Sequence, residues 1–325
     1  MPILKIGKNR GCEFDLYYEL HSNDIKKEQI DQVTRTNNDK EKVVLIFGFL
    51  TEGNLWYENL KEFKKHEKYE YCTFDLRGVG KSGSPTTTYS SKSMAMDVLE
   101  LMDFIGYNDA HIVGFSMGGM VSLELAYLAP KRIKSLSLCV THAGAFAPLN
   151  GIIGMGKTIF IGSDLKKRGT ILANILYSKE YLEKKSKTNQ DKTNLDIFLE
   201  QFIIDNKPDG KPQPSLSALY GHIRTVNTHS VSKKRLLEIK NNLNINSTPI
   251  TIITGTNDDL VDPSGSYYLK SILSPIEFIE FPGSGHMVNF ENYDQFNDVI
   301  LRNFNRVVKP ISIIPSNDFL QPKQA

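Results

Sequence analysis

The chain has 325 residues, 39 basic and 37 acidic, for a net charge of +2; 40% are hydrophobic and 23% charged. That length buries a substantial core, and one α/β domain with a large insertion fits it as well as two domains do. Charges this evenly balanced give no electrostatic case for nucleic acid as the partner.

Residues 12–20, CEFDLYYEL, bring aromatic and branched side chains together and predict a strand. The polar stretch 21–42 is highly charged and nearly free of aromatics, the composition of a solvated loop. VVLIF (43–47) is a short unbroken apolar run, the pattern of a strand buried on both faces. Helical spacing over 54–66 and a strand over 69–74 follow. The pattern over 93–106 predicts a helix, with Ser93 as its N-cap and Gly106 as its stop. A strand over 110–115, a helix over 117–130 ended by Pro130, and a strand over 133–140 come next. Strand and helix thus alternate three times, which predicts an α/β fold with a mostly parallel, doubly wound sheet.

The alternation then breaks. From 142 to about 230 no strand pattern is legible. Apolar IIGMGKTIFIG, basic LKKRGTILANILYSKEYLEKKSK and turn-rich NKPDGKPQP (206–214) predict a mainly helical insertion with a hinge. The lysines of 166–187 alternate with acidic and polar residues and read as a solvated helix face. Alternation resumes with a helix at KRLLEIKNN, a strand at 249–255, a helix near 263–273, a strand at 276–281 and a helix near 291–307. The tail, 311–325, reads as irregular.

Cys12, Cys72 and Cys139 are far apart and odd in number, without Cys-x-x-Cys spacing. They read as buried or half-buried thiols of a reducing compartment. The N-terminus has no apolar h-region, and no apolar run reaches the length of a membrane span. A cytoplasmic location without a transmembrane segment is the default expectation. No ligand cluster suggests a metal. Gly78, Gly80 and Gly83 lie outside any G-x-x-x-x-G-K-[ST] phosphate loop, so no cofactor is expected.

The candidate chemistry sits at VGFSMGGM (113–120). Ser116 lies between Gly114 and Gly118, at the end of one predicted strand and the start of a predicted helix. By chance such a pattern arises about 0.1 times in a chain this long. A serine on a sharp strand-to-helix turn needs neighbours with little side chain two places before and after it. The helix N-terminus behind it supplies amides for a developing oxyanion.

Serine requires a base to attack at neutral pH. Of the seven histidines, His286 stands on a Gly-rich loop, GSGHM, after the last strand, at the same sheet end as Ser116. His142, His222 and His229 fall in the insertion, where a helical or pocket-lining role suits them better; His21, His66 and His111 are poorly placed. The base in turn needs a carboxylate. The loop after the preceding strand offers Asp258, Asp259 and Asp262.

Together these stretches resemble the α/β-hydrolase superfamily, from about residue 12 to 307. FDLRGVGKSGSP (74–85) is similar to the family's D-x-R-G-x-G-x-S loop through Asp75, Arg77, Gly78 and Gly80, which implies that these residues shape the loop. VDPSGS resembles the family's acid loop in a register that selects Asp258, with Asp259 one step away. GSGHMVNFENYDQF resembles its G-H-x-x-x-x-E-x-P segment, with Tyr293 where proline is usual. The order Ser116, Asp258, His286 is that of the hydrolase triad. The resemblance implies a helical lid between strands 6 and 7. The division is then a core at 1–141 and 246–310, a lid at 142–245 and a tail at 311–325. It also implies oxyanion donors from the backbone N–H of Phe49 and Met117. The family usually carries His-Gly after its third strand; here Phe47-Gly48-Phe49 stands there, so a repacked loop is expected.

The implied activity is hydrolysis of an ester, thioester or related small apolar acyl compound, of the carboxylic-ester class, through an acyl-enzyme. C–C bond hydrolysis, acyl transfer and perhydrolysis use the same residues. A slow-turnover ligand receptor on the same fold is the reading from another class. Dehalogenase and epoxide-hydrolase relatives place an aspartate where Ser116 stands. Within the insertion, 146–162 reads as a helix over an apolar pocket mouth.

Overall fold

A computed structural model describes residues 2–23, 39–87, 89–144, 164–207 and 214–307. The apolar stretch 146–162, residues 208–213 of the hinge, most of the polar loop and the 311–325 tail lie outside them. The strands are β1 (Ile3–Ile6), β2 (Phe14–His21), β3 (Glu41–Ile46), β4 (Tyr69–Phe74), β5 (Ala110–Phe115), β6 (Ile133–Cys139), β7 (Ile250–Gly255) and β8 (Glu277–Phe281). They form one 8-stranded sheet in the order β1-β2-β4-β3-β5-β6-β7-β8. β1 and β2 pair antiparallel with their neighbours, and all other pairings are parallel. β1 has only 4 residues and an exposed first turn of side chains, too short for its period to stand out in the sequence.

β4, β5 and β7 are buried at every position because both sheet faces are covered. Val43, Leu45 and Phe47 enter one core, while Val44 and Ile46 enter the other, the two-residue period of a pleated strand. One core packs under α2 (Ser91–Ile105) and α3 (Met117–Leu128); the other packs under α1 (Tyr57–Phe63). Helix α2 is capped by Ser90, whose side chain accepts from the Ser93 amide while Ser93 bonds back. The cap therefore lies three residues before the expected Ser93, and Ser93 completes the reciprocal pair.

Between β6 and β7 the described residues form helices α4 (Leu165–Leu176), α5 (Lys179–Glu183), α6 (Asn194–Asp205), α7 (Leu216–Thr228) and α8 (Lys233–Ile245), with one isolated antiparallel bridge between Lys185 and Thr193. After β7 come α9 (Pro263–Leu273), then α10 (Val288–Glu291) and α11 (Tyr293–Asn305). The expected final helix is α11; the short α10 precedes it, and the two are parted at Asn292, whose φ of −120° and ψ of 43° leave the helical region.

The strand order reverses at β3. β4 lies on one side of it and β5 on the other, so the loops leaving β3 and β5 diverge and open a crevice at the carboxyl end of the sheet. Gly48 and Phe49 follow β3, and Ser116 follows β5. The DLRG loop borders this end. Asp75 accepts from the amides of Gly53 at 2.8 Å and Lys81 at 2.9 Å. Arg77 is fully buried and pairs with Asp97 through Nε at 2.7 Å and a terminal nitrogen at 2.7 Å. A buried guanidinium is tolerable only when so paired. These contacts are the loop-shaping ones that the sequence motif implies.

Candidate active site

Ser116 occupies the sharp turn between β5 and α3, with φ 58° and ψ −122°. A non-glycine residue at positive φ is strained, and the neighbours show what holds it there. Its amide donates to Cys139 O at 2.9 Å, and its carbonyl accepts from Thr141 Oγ1 at 2.8 Å. The flanking glycines are required by contact. A Cβ on Gly118 would lie 2.2 Å from Ile46 O, and one on Gly114 would lie 2.2 Å from Ser122 Oγ. A Cβ on Gly119 would meet Thr141 at 2.6 Å. The turn is thus wedged between β3 and the end of β6, and no side chain larger than hydrogen fits at these three positions.

The loop after β3 closes on the same serine. A Cβ on Gly48 would stand 3.0 Å from Ser116 Cβ and 3.3 Å from its Oγ. Of the expected amide donors, Phe49 follows Gly48 in that loop, and Met117 follows Ser116 and opens α3. Phe47 turns away into the aromatic core. It stacks on Phe115 at 4.8 Å and meets Trp56 edge-on at 5.1 Å.

His286 Nδ1 lies 2.7 Å from Asp258 Oδ2. The other carboxylate oxygen, Oδ1, accepts from the amides of Leu260 and Val261, both at 2.8 Å. Asp258 is therefore held by two amides and an imidazole, and it is buried, whereas Asp259 is exposed. Asp262 caps α9 through Ser264 N at 2.8 Å. Of the three carboxylates of this loop, Asp258 is the one that meets His286. The His286 ring meets the Phe115 ring edge-on at 5.6 Å, next to Ser116.

Glu291 braces the histidine loop. It accepts from the Gly285 amide at 3.0 Å and from Ser178, through N at 3.0 Å and Oγ at 2.5 Å. Burial pushes its carboxyl above the ordinary value. The Met287 amide donates to Leu176 O at 2.9 Å, so the inserted helices α4 and α5 touch this loop directly. Tyr293, in place of proline, starts α11 and donates its hydroxyl to Glu58 O at 2.8 Å. Glu291 was visible in the quoted motif. Thr141 and Ser178 carried no sequence signal, because each acts across a long chain separation; His222 reads in the sequence only as a helical or pocket-lining residue.

Five histidines are buried and pushed down from the ordinary 6.5 by loss of solvation: His21, His142 and His222 to about 4, His229 to about 3, and His111 likewise downward. The His142 and His229 rings lie tilted at 58° with centroids 5.9 Å apart, and His229 Nδ1 meets Ser91 Oγ at 2.8 Å. A depressed folded pKa means that the unfolded chain binds more protons between about pH 6.5 and 4. Stability from these groups is complete above 6.5 and is lost as pH falls towards 4. Urea unfolding measured from pH 7.5 to 5 should lose more than about 1.4 kcal/mol per pH unit, the slope of a single proton. A flat profile in that window would contradict their burial as neutral rings.

Among the described residues, no group of three or more His, Cys, Asp or Glu side chains is arranged to hold a metal ion. No described helix is long and apolar enough to cross a membrane.

A doubly wound sheet with a serine turn at its switch point defines the chain as an α/β enzyme scaffold. The chain belongs to the alpha/beta hydrolase fold family, whose model matches residues 42–293. It is similar to Lipase 3 of Moraxella sp., at 26% identity over 289 residues, covering 84% of this chain and 82% of that protein. It is also similar to the 2-hydroxy-6-oxononadienedioate/2-hydroxy-6-oxononatrienedioate hydrolase of Paraburkholderia phymatum, at 27% identity over 275 residues, covering 82% and 88%. Three other curated relatives are matched over only 51%, 29% and 41% of their own lengths. Among solved structures, the enol-lactonase of Burkholderia xenovorans superposes with a TM-score of 0.69 at 19% identity, covering 93% of this chain and 100% of that one.

Proposed function

We propose that the protein is a serine hydrolase of a small ester, thioester or related acyl compound, of the carboxylic-ester class. The observation that carries this reading is the His286–Asp258 hydrogen bond at 2.7 Å, on loops at the same sheet end as the Ser116 turn. Ser116 Oγ attacks the substrate carbonyl. His286 takes its proton and passes it to the leaving group, while Asp258 fixes the tautomer and steadies the imidazolium. The amides of Phe49 and Met117 hold the oxyanion, where a donor is worth about 2.7–4 kcal/mol. Water attacks the acyl-enzyme by the same route and releases the acid.

The helices between β6 and β7 act as a lid, with 142–245 as its extent and 1–141 with 246–310 as the core. Leu176, Ser178 and His222 are the points where this segment reaches the loops of the site. The substrate is apolar and is chosen by the lid. The Paraburkholderia relative's name favours a second reading, C–C bond hydrolysis by the same residues.

A fluorophosphonate probe tests the reading. Intact mass should show one adduct on the native protein and none on Ser116→Ala, with labelling of His286→Ala sharply slowed. No adduct on the native protein would overturn it. An ester panel beside a vinylogous diketone then separates acyl from C–C chemistry.

A further inference from the structure

His222 is fully buried on α7, where the inserted helices meet the loop after β3. Its Nδ1 lies 3.2 Å from the Leu50 amide, and its Nε2 lies 2.9 Å from the Arg77 carbonyl. An amide can only donate and a carbonyl can only accept. The ring therefore carries its proton on Nε2 and offers bare Nδ1 to Leu50. Burial pushes its pKa down to about 4, so this form persists at neutral pH.

The group it holds is strained. Gly48 to Thr51 form a turn in which the Thr51 amide donates to Gly48 O at 3.4 Å. Of the two central residues, Leu50 alone has positive φ, 49°. That combination is the type II turn, whose third position normally goes to glycine or asparagine. A leucine there carries a steric cost that glycine escapes. Rotating the Phe49–Leu50 peptide would relieve it, and would swing the Leu50 N–H off His222. The carbonyl end of the same peptide accepts from Thr51 Oγ1 at 2.9 Å. The Phe49 ring meets His222 edge-on at 5.9 Å.

The helix that carries His222 is pressed against its target. A Cβ on Gly221 would lie 2.4 Å from the Tyr89 ring. A Cβ on Gly78, at φ +79°, would lie 2.7 Å from Ala218. The backbones are as close as glycine permits, which leaves the imidazole little freedom.

We propose that His222 is a positioning residue: it pins the strained Phe49–Leu50 peptide and thereby fixes the Phe49 amide beside Ser116. Its catalytic consequence rests on Ser116 being the nucleophile; the clamp itself does not.

Two variants separate its two bonds. His222→Asn keeps an acceptor where Nδ1 stands, and His222→Gln keeps a donor where Nε2 stands. Residue-level amide hydrogen exchange reads the clamp, and the fluorophosphonate labelling rate reads its effect on the site. Leu50 exchange should rise about tenfold in the Gln variant and stay near the native rate in the Asn variant. Labelling should slow by about ten- to a hundredfold in Gln, the scale of a small misplacement, and recover in Asn. Nitrogen shifts of the native protein at pH 7 should report the Nε2–H form. The Nδ1–H form, or equal Leu50 exchange in the native and Gln proteins, overturns the proposal whatever the activity. Faster exchange with unchanged labelling overturns the positioning role. Equal losses in both variants, matched by equal falls in thermal midpoint, make His222 a packing residue and also overturn it. A native protein that never labels but shows the expected exchange pattern supports the clamp and counts against the hydrolase reading.

Discussion

Ser116→Ala lowers kcat on the best ester of the panel by about 10⁴-fold or more, with KM changed little. The proposed mechanism demands this, because in it Ser116 Oγ is the attacking oxygen, while the hydroxyls of Thr141 and Ser122 are taken up by the carbonyls of Ser116 and Gly118. In serine hydrolases, loss of the nucleophile leaves only the rate that the oxyanion donors and binding provide. The substitution removes one oxygen from a side chain whose backbone is already held by Cys139 O and Thr141 Oγ1. The fold should therefore survive, and circular dichroism with a thermal midpoint near the native value checks that. Retention of even a tenth of the native kcat would sink the assignment of Ser116.

Asp258→Asn lowers kcat by about 10⁴-fold, while Asp259→Asn leaves it within about twofold. The first figure is the scale for a wrong histidine tautomer in a triad. An asparagine amide facing His286 in place of Oδ2 would present N–H to the imidazole and push its proton to the other nitrogen. His286 would then donate towards Ser116 and could not take its proton. The loop should survive the change, because Oδ1 still accepts from Leu260 and Val261 at 2.8 Å. Asp259 is exposed. Steady-state kinetics on the two variants decides the matter, and a large loss in Asp259→Asn with little in Asp258→Asn would reverse the assignment.

The elements most legible in the sequence were those with one dominant constraint. VVLIF needed both faces apolar, and AHIVGF ran straight into glycines that only a sharp turn explains. Both lie where their patterns placed them, as β3 and β5. The helix at 263–273 matched because its start and stop are local: Asp262 caps it, Pro263 opens it and Ser274 ends it. Other element ends differ by a few residues for local reasons: Ser90, not Ser93, caps α2, and Asn292 parts the short α10 from α11.

By itself, the sequence determined the alternation of strand and helix, the position of the serine turn and the candidate histidine. These depend on period, on glycine spacing and on chain order, all of which are local or one-dimensional. Only the tertiary structure sets Asp258 against His286 and leaves Asp259 exposed, because burial and the 2.7 Å bond to His286 are properties of two loops 28 residues apart. Only it joined His222 to Leu50 across 172 residues. No pattern in the chain encodes such a meeting; it exists once the sheet has brought the loops to one end and the inserted helices have packed against them.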